Sequence, residues 1–501
     1  KCDPGAAGTD QTASGSSAVA TGRDRRAKTA IVYPQFWCGR VQERLDTTTM
    51  TDVRCRSKEK PDSQDIHEKL ESLVDNGENM KIKNRIRTII FLALIILFSS
   101  EVPGVFGAPG DPDLSFGIGG SATYQTFPLV SSILADENLY YTCCHLTQQA
   151  DGKTIVAGAT DSDKMLRIIR FNADGTVDTT YGLSGQAVES AFPSIVVYGV
   201  PLAIKIDRYG KLLVAGYING GSVLTHFALW RFNTNGLLDQ TFGTNGHIYW
   251  TDAVNSQAIA ITNYLDTIFV LRWADNPGLS DKTVHALNNN GTFIPTFGGA
   301  GFGRIIVDRA EDIAIQPVSN KLLVATMNEV RRYSIQGILD TTFGTQGIAT
   351  LCANASPGGI FLNRLAVQSN GKIVAARTLY VAYVSLNFYS MTRLTDRGRL
   401  DSTFDLDGCK GLESYWDMTP DNFGIAKRVR IQSDGRIVTS NNRRYNVDGS
   451  IDSFYQPVNR NQTQDVWVQP NDGRIVSLQA SNNSAWQFDT REDYVIYRFL
   501  P

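Results

Sequence analysis

Few side chains beyond residue 107 are typical of a catalytic or metal centre. The histidines there stand at positions 145, 226, 247 and 285, without the spacing of a zinc site or of a Ser-His-Asp set. The run Asp405–Gly408 (DLDG) and the pair Asp161 and Asp163 resemble fragments of calcium loops, yet neither continues with alternating oxygen ligands that end in a carboxylate. We therefore predict no catalytic residue and no metal ligand, and calcium, on an incomplete motif, is the one cofactor considered.

The same part of the chain contains four cysteines, at positions 143, 144, 352 and 409. An even number in an exported protein is compatible with disulfide bonds. Cys143 and Cys144 are adjacent, so in a strand they point to opposite faces, and a bond between them is strained. Cys352 with Cys409, one repeat apart, is the only pair that we consider.

Composition and charge exclude one class of partner. The chain has 42% hydrophobic and 20% charged residues and a formal net charge of -2, which is ordinary for a globular protein with a core. A nucleic-acid-binding protein usually carries a strong positive balance, because binding depends on neutralising phosphates. We therefore expect no nucleic-acid partner.

The first part of the chain differs from the rest. Residues 1–79 are rich in Gly, Ser, Thr, Asp and Arg and have little apolar pattern, so we interpret them as a disordered leader or as a segment upstream of the native start. Met80 opens a basic stretch that is followed by ten apolar residues, Ile89–Phe98. This is typical of a signal peptide spanning 80–107, cleaved after Gly107. The run is about half the roughly 20 residues of a spanning helix, so we expect no stable membrane span after signal removal.

Residues 108–501 are periodic. The phrase GDPDLSFG at Gly110 returns as GTVDTTYG at Gly175, GLLDQTFG at Gly236, GTFIPTFG at Gly291, GILDTTFG at Gly337, GRLDSTFD at Gly398 and GSIDSFYQ at Gly449. The spacing averages about 56 residues, within the range of propellers, solenoids and arrays.

Two further motifs keep a fixed order within each repeat. One is an apolar stretch, a turn with Asp-Gly or Asn-Gly, and a β-rich stretch, as in LTQQADGKTIVAG from Leu146, which predicts a β-hairpin. The third repeat is the exception, with Leu265 and Asp266 where the glycine turn is expected. The other motif is a short strand ending in Arg and an aromatic or aliphatic residue, as in RIIRFN before Ala173.

Four strand-like segments per repeat and seven repeats predict an all-β fold, a seven-bladed β-propeller of four-stranded blades. The first Asp-x-x-Phe-Gly phrase stands before the first hairpin, and we expect it to follow the last strand in space and close the ring. A row of small β-sandwiches and a β-solenoid are the alternatives.

The combination of L-D-x-T-F-G, Q-x-D-G-K-I-V-A-G and R-F-N resembles the delta-60 repeat family of exported bacterial proteins, over residues 110 to 501. The resemblance is good in the first, second, fifth and sixth repeats and poor in the third, where Ile294 and Pro295 replace the Asp phrase. It implies a propeller and an exported protein, and it supplies no catalytic or binding residues.

The recurring residues have a structural interpretation. We expect the Asp of each phrase to accept backbone N–H bonds beside a turn, the aromatic residue to fill the core between blades, and the Arg of each short strand to pair with a carboxylate. The clearest Asp and aromatic pairs are Asp113 and Phe116, Asp178 and Tyr181, Asp239 and Phe242, Asp340 and Phe343, and Asp401 and Phe404.

The connection between the hairpin and the Arg-aromatic strand varies most in length, and variable loops on a rigid scaffold are where binding residues tend to lie. Its longest examples contain aromatic residues that suit a sugar ring or a protein contact, or that extend the strands and pack between blades. The candidates are Trp273, Tyr380, Tyr383, Tyr389 and Trp486.

Two functions remain open. One is a non-enzymatic binding scaffold, secreted, periplasmic or on the cell surface, whose partner is a glycan, a peptide or an envelope protein. The other is a polysaccharide-active enzyme, a lyase or hydrolase, because propellers host both. The lack of a clustered His, carboxylate and metal set favours binding, and we expect a monomer.

Overall fold

The computed structural model describes these residues: 107–124, 144–159, 165–189, 198–219, 224–251, 255–276, 279–299, 301, 303–352, 360–381, 386–414, 428–440, 443–455, 457, 463–480 and 494–501. The leader and the signal peptide predicted from the sequence, except for Gly107, lie outside these residues. Among the residues described, no helix is long and apolar enough to cross a membrane.

The described residues contain 27 strands in seven antiparallel sheets. The first half of the chain order is β1 (Ser121–Tyr124), β2 (Cys144–Gln148), β3 (Thr154–Ala159), β4 (Leu166–Phe171), β5 (Gln186–Glu189), β6 (Tyr198–Ile206), β7 (Leu212–Asn219), β8 (His226–Phe232), β9 (His247–Trp250), β10 (Asn255–Tyr264), β11 (Thr267–Asn276), β12 (Leu279–Leu287) and β13 (Arg304–Ile306). The second half is β14 (Ala310–Gln316), β15 (Lys321–Thr326), β16 (Glu329–Tyr333), β17 (Ile348–Thr350), β18 (Ile360–Val367), β19 (Ile373–Val381), β20 (Leu386–Leu394), β21 (Cys409–Ser414), β22 (Val429–Ile431), β23 (Ile437–Thr439), β24 (Arg443–Tyr445), β25 (Thr463–Val468), β26 (Ile475–Ala480) and β27 (Tyr494–Phe499).

Each sheet is one blade of a seven-bladed β-propeller, which confirms the predicted fold class. Blades 1 to 5 are β2–β5, β6–β9, β10–β13, β14–β17 and β18–β21, and blade 6 has β22–β24 among the described residues. The first strands of consecutive blades contact one another in the order β2, β6, β10, β14, β18, β22, β25 and back to β2. These seven strands therefore form the inner wall of a closed ring.

Blade 7 joins the two ends of the repeat region. Its order is β25, β26, β27 and β1, so the outer strand comes from the first phrase of the chain. Ser121 pairs with Tyr497 in this ladder, and the N–H of Asp113 donates to the carbonyl of Arg498 at 2.8 Å. Phe116 is buried in a cluster with residues of blades 7 and 1. The ring closes as the sequence predicted.

The core consists of apolar layers between neighbouring blades. The second strand of a blade can bury both of its faces because each blade packs between two others, and every residue from Leu212 to Ile218 in β7 is buried. Ile155 and Leu166 of blade 1, for example, share a cluster with Val214 and Trp230 of blade 2. Burial of this kind stabilises the fold by roughly 25 cal/mol per Å² of apolar surface.

The glycine that opens each phrase is required by close packing. At Gly236 φ is +86°, and a Cβ there would lie 2.6 Å from the backbone nitrogen of Gly182 and 2.9 Å from the ring of Tyr181. The N–H of Gly182 also donates to the carbonyl of Asn235 at 2.7 Å. The phrase therefore docks each blade onto the aromatic residue of the blade before it.

Cys352 and Cys409 form a disulfide bond with a Cα–Cα distance of 5.8 Å. Cys352 follows the last strand of blade 4 and Cys409 begins β21, the last strand of blade 5. The one pair that the sequence suggested is thus a covalent link between two adjacent blades.

Candidate functional site

The recurring Asp of each phrase caps a turn and holds two cations. In blade 2 the Oδ1 of Asp239 accepts the backbone N–H of Thr241 at 3.2 Å and its hydroxyl at 2.7 Å, while Oδ2 lies 2.6 Å from Nε of Arg231 and 2.8 Å from Nζ of Lys211. Burial alone raises the pKa of the Asp239 carboxyl, but the bonds from Lys211 and Thr241 and the charge of Arg231 outweigh burial and hold that pKa well below its usual range.

The Arg of the short strand ties blade 2 to blade 3. The guanidinium of Arg231 lies over the ring of Phe242, 4.7 Å from its centroid, and Nη1 donates to the carbonyl of Asn289 in blade 3. Five other arginines lie in the same way over the aromatic residue of their own phrase: Arg170, Arg332, Arg393, Arg444 and Arg498. The Asp, Arg and aromatic residues of the repeat are therefore parts of the scaffold, including Asp113, Asp178, Tyr181, Asp340, Phe343, Asp401 and Phe404.

Blade 3 has the same backbone without these charges. The N–H of Ile294 donates to the carbonyl of Ala286 at 2.9 Å, as the N–H of Asp239 donates to the carbonyl of Arg231 at 2.8 Å. Phe297 is buried in the position of Phe242. Ala286 and Ile294 thus replace the buried ion pair with apolar contacts.

The aromatic candidates for a binding surface do not form one cluster among the described residues. Trp273 lies within β11, half-buried, opposite Gln257 of β10 and Lys282 of β12. Tyr380 and Tyr389 also lie in strands, β19 and β20. Their connections are shorter than the sequence indicated because the strands extend into them. Tyr383 and Trp486 lie outside the described residues, as do Asp161 and Asp163.

The carboxylates of the DLDG run contact protein groups. Oδ1 of Asp407 accepts the backbone N–H of Cys409 at 2.8 Å, and Oδ1 of Asp405 lies 3.6 Å from Nζ of Lys410. Across the described part of the chain, no three His, Cys, Asp or Glu side chains are grouped as a metal site would require.

Several charged side chains lie in the central channel. A cavity of about 470 Å³ is lined by residues from all seven inner strands. Two positions of each inner strand, counted back from the hairpin turn, recur in all seven blades and form two rings around this channel. The turn-proximal ring consists of Thr147, Lys205, Thr262, Ala314, Ala366, Arg430 and Trp467. The turn-distal ring consists of His145, Ala203, Ala260, Asp312, Arg364, Arg428 and Asp465.

The two acidic residues of the turn-distal ring connect adjacent blades. Oδ2 of Asp465 accepts the backbone N–H of Leu146 in blade 1 at 3.1 Å, and Oδ2 of Asp312 accepts that of Leu365 in blade 5 at 2.9 Å. Each follows a bulge in its strand. Beside Asp465, Nη2 of Arg428 is 2.8 Å from Nδ1 of His145. Both acidic residues of this ring are therefore engaged in contacts within the protein.

The turn-proximal ring presents polar groups that the protein does not satisfy. The Nε–H of Arg430 and the indole N–H of Trp467 are buried without an acceptor among the described residues, and the guanidinium lies 5.2 Å from the centroid of the Trp467 ring. Lys205 has no ion-pair partner in the same described set, and burial, together with the charge of Arg430, lowers its pKa. The side-chain oxygen of Asn263, which also lines the cavity, is buried without a donor in that set.

These donors and cations can hold an anion. Buried polar groups are nearly always hydrogen-bonded, so a cavity with two free donors and a lysine of lowered pKa favours a ligand that supplies acceptors and negative charge. Sequence reasoning missed the site because Lys205, Arg430 and Trp467 each look like an ordinary alternating residue of a strand. The available signal was a charged or large residue at one position of the inner strand, where other repeats have Ala or Thr.

Comparisons with known proteins agree with the fold. Residues 149–181 and 210–242 match a family profile described as a domain of unknown function (DUF5122) beta-propeller. Each match runs from near a hairpin turn to the buried aromatic residue of the next phrase, in blades 1 and 2. A comparison with curated proteins finds no match.

Several solved structures are similar at low identity. A polysaccharide lyase, the PL25 ulvan lyase, has 9% identity and a TM-score of 0.30 over 54% of this chain and 68% of its own. A puromycin hydrolase has 12% identity and a TM-score of 0.39 over 76% of this chain, and the match spans 59% of the hydrolase. An α-L-arabinofuranosidase from Lactobacillus brevis has 8% identity and a TM-score of 0.33 over 72% of this chain and 90% of its own. The chain is a β-propeller, and its residues 149–181 and 210–242 are similar to the DUF5122 beta-propeller profile.

Proposed function

We propose that this protein is a non-enzymatic binding scaffold of the bacterial envelope or exterior, and that its central channel holds an acidic segment of a glycan or peptide. The observation that carries the proposal is the turn-proximal ring, where Lys205, Arg430 and Trp467 present a cation and two buried donors without acceptors to one cavity. The signal peptide predicted at 80–107 and the resemblance to the delta-60 repeat family support the location.

The chemistry of the ring favours an anion with hydroxyl or amide groups. A carboxylate or sulfate satisfies the N–H groups of Arg430 and Trp467, and charge-assisted bonds of this kind are about twice as strong as neutral ones. The oxygen of Asn263 can accept a bond from a ligand hydroxyl or N–H. An anion also stabilises the charged form of Lys205, so binding raises the pKa that burial lowers.

Binding to an array of acidic and neutral glycans and of acidic peptides, followed by calorimetry on the best ligand, tests this proposal. We expect an acidic ligand whose affinity weakens at least tenfold in Lys205→Met or Arg430→Met, about 1.4 kcal/mol or more. Arg399→Gln removes a positive charge from an exposed position of blade 5 and is the matched control, with unchanged affinity.

Three outcomes contradict the proposal. The first is the binding of neutral ligands alone, and the second is an affinity that both channel variants leave unchanged. The third is release of soluble fragments from an acidic polysaccharide by the purified protein, which establishes the enzyme alternative instead.

The affinity should also depend on pH. Burial lowers the pKa of Lys205, so the wild type should bind an acidic ligand more weakly as the pH rises and Lys205 loses its charge.

A further inference from the structure

A second cavity lies between the outer parts of blades 2 and 3. Its volume is about 600 Å³, within the range of sites for small ligands. It is separate from the central channel, since no residue lines both cavities. The side chains used below are Trp250 of β9, Arg272 of β11, His285 of β12, and Phe293, Pro295 and Arg304 of the phrase and strand that follow.

His285 lines the cavity at a strand position that differs between blades 2 and 3. It pairs with Val270 in blade 3 as Trp230 pairs with Val214 in blade 2. Trp230 is fully buried in the junction between blades 1 and 2, whereas an open space lies beside His285 in the junction between blades 2 and 3.

The side chains around this space pack against one another. Phe227 stacks on Trp250 with a centroid distance of 4.2 Å, and the guanidinium of Arg272 lies 4.8 Å from the same indole. Phe293 is 4.4 Å from Trp250 and 5.6 Å from His285. Because Trp250 is covered in this way, it is a rigid wall of the cavity, and Phe293 and Pro295 provide apolar surface beside it.

Two arginines are among the described residues that line the cavity. Arg272 is buried and Arg304 is exposed, and no Asp or Glu is among the described residues that line the space. The Arg304 side chain makes no ion pair with any described residue. Two guanidinium groups beside apolar rings match a ligand with a carboxylate on a flat or ring-shaped body, because guanidinium binds carboxylate through two parallel bonds.

We propose that the cleft between blades 2 and 3 is a second binding site, for a carboxylate carried on a six-membered ring. Arg304 at the rim and Arg272 at the wall would bind the carboxylate, while Phe293 and Pro295 pack against the ring. Two sources have this chemistry, a uronic acid of a glycan and an aromatic carboxylate.

Titration of the whole protein with galacturonate, benzoate and galactose, followed by NMR or calorimetry, tests the site. We expect galacturonate or benzoate to bind and galactose to bind at least tenfold more weakly, because galactose lacks the carboxylate. The stronger of the two acids identifies the source. Arg304→Gln should weaken binding of that acid at least tenfold, and this exposed residue can be replaced without disturbing the core.

Two controls separate this site from the channel. Arg272→Lys keeps the charge and removes the paired geometry, so it should also weaken binding, whereas Arg399→Gln should not. Lys205→Met, in the channel, tests whether the acid binds there instead. Equal binding of galactose or an unchanged affinity in Arg304→Gln overturns the inference. A loss caused by Lys205→Met also overturns it, because that result places the acid in the channel.

Discussion

Blades 2 and 3 are neighbours with the same backbone plan, and only one of them carries the charged residues of the repeat. Blade 2 buries the ion pair of Arg231 and Asp239, which the half-buried Lys211 joins, and the guanidinium of Arg231 lies over the ring of Phe242. Blade 3 keeps the equivalent backbone bond and the buried aromatic residue, Phe297, but has Ala286 and Ile294 in place of Arg and Asp. The aromatic residue and the backbone bond are therefore sufficient to form a blade, and the ion cluster is one solution for the space beneath them.

The difference extends to the neighbouring surface. Blade 2 fills its junction with blade 1 by Trp230, whereas blade 3 leaves a cleft beside His285. The repeat whose sequence departs most from the phrase thus has an open cavity at its side that two arginines line. Residues that differ from the repeat pattern, where the fold does not require the difference, are candidates for function.

The largest expected effect concerns what the two blades share. Phe242→Ala and Phe297→Ala should each lower the free energy of unfolding by about 3 to 5 kcal/mol, because each removes a buried ring and leaves a cavity. Denaturant titration followed by two optical probes measures the change. Phe454→Ala, at a position that is 79% exposed, is the matched control and should change stability by less than about 0.5 kcal/mol. A small effect in blade 3 alone would show that its aromatic residue has a different role.

The second largest effect concerns the buried ion pair of Arg231 and Asp239, which blade 2 has and blade 3 lacks. Asp239→Ala leaves Arg231 buried without its carboxylate, which should lower the free energy of unfolding by about 3 kcal/mol. The double variant Arg231→Ala with Asp239→Ile gives blade 2 the residues of blade 3, and breaking a pair usually costs more than replacing it by apolar groups.

A double-mutant cycle at positions 231 and 239 tests whether the apolar residues of blade 3 can replace the ion pair of blade 2. We expect the double variant to recover at least about 1.5 kcal/mol of the stability lost in Asp239→Ala, as coupled buried partners do. The single variants Arg231→Ala and Asp239→Ile complete the cycle. A double variant no more stable than Asp239→Ala would mean that the contact of Arg231 with the Asn289 carbonyl, absent from the blade 3 arrangement, is what blade 2 depends on.

Much of the fold could be predicted from sequence because the repeat determines it. The seven phrases give the number of blades, and the isolated first phrase gives the closure through Asp113 and Arg498. The hairpin of blade 3 was anomalous in sequence, and its turn places Leu265, a non-glycine residue, at a φ of +50°. The sequence indicates the number of blades, the ring closure and the hairpin turn because each of them depends on a repeated motif or on residues close together in the chain.

The two candidate sites could not be predicted in the same way. The channel brings together Lys205 of blade 2, Arg430 of blade 6 and Trp467 of blade 7, and the cleft joins Trp250 of one repeat to His285 and Arg304 of the next. Alternation along a strand shows that a side chain points to one face, but not whether that face meets a neighbour, the channel or an open junction. Trp273, singled out in a presumed loop, lies in β11 because that hairpin is long.

The smallest expected effect is on the pH dependence of stability, and it arises from the charged carboxylate of Asp239, which blade 3 lacks. The pKa of Asp239 in the folded protein lies below its unfolded value of about 3.9, so the stability that this group contributes is present above that value and is lost as the pH falls through the folded pKa. The stability difference between the wild type and the variant Arg231→Ala with Asp239→Ile should therefore shrink between pH 7 and pH 3. Both proteins contain Glu189, whose pKa burial raises to about 7, and the five other Arg–Asp pairs, so the opposite or parallel effects of those groups cancel in the difference. Thermal unfolding of both proteins at several pH values measures it, and a difference that stays constant or grows on acidification would show that the charged form of Asp239 does not contribute to the stability of blade 2.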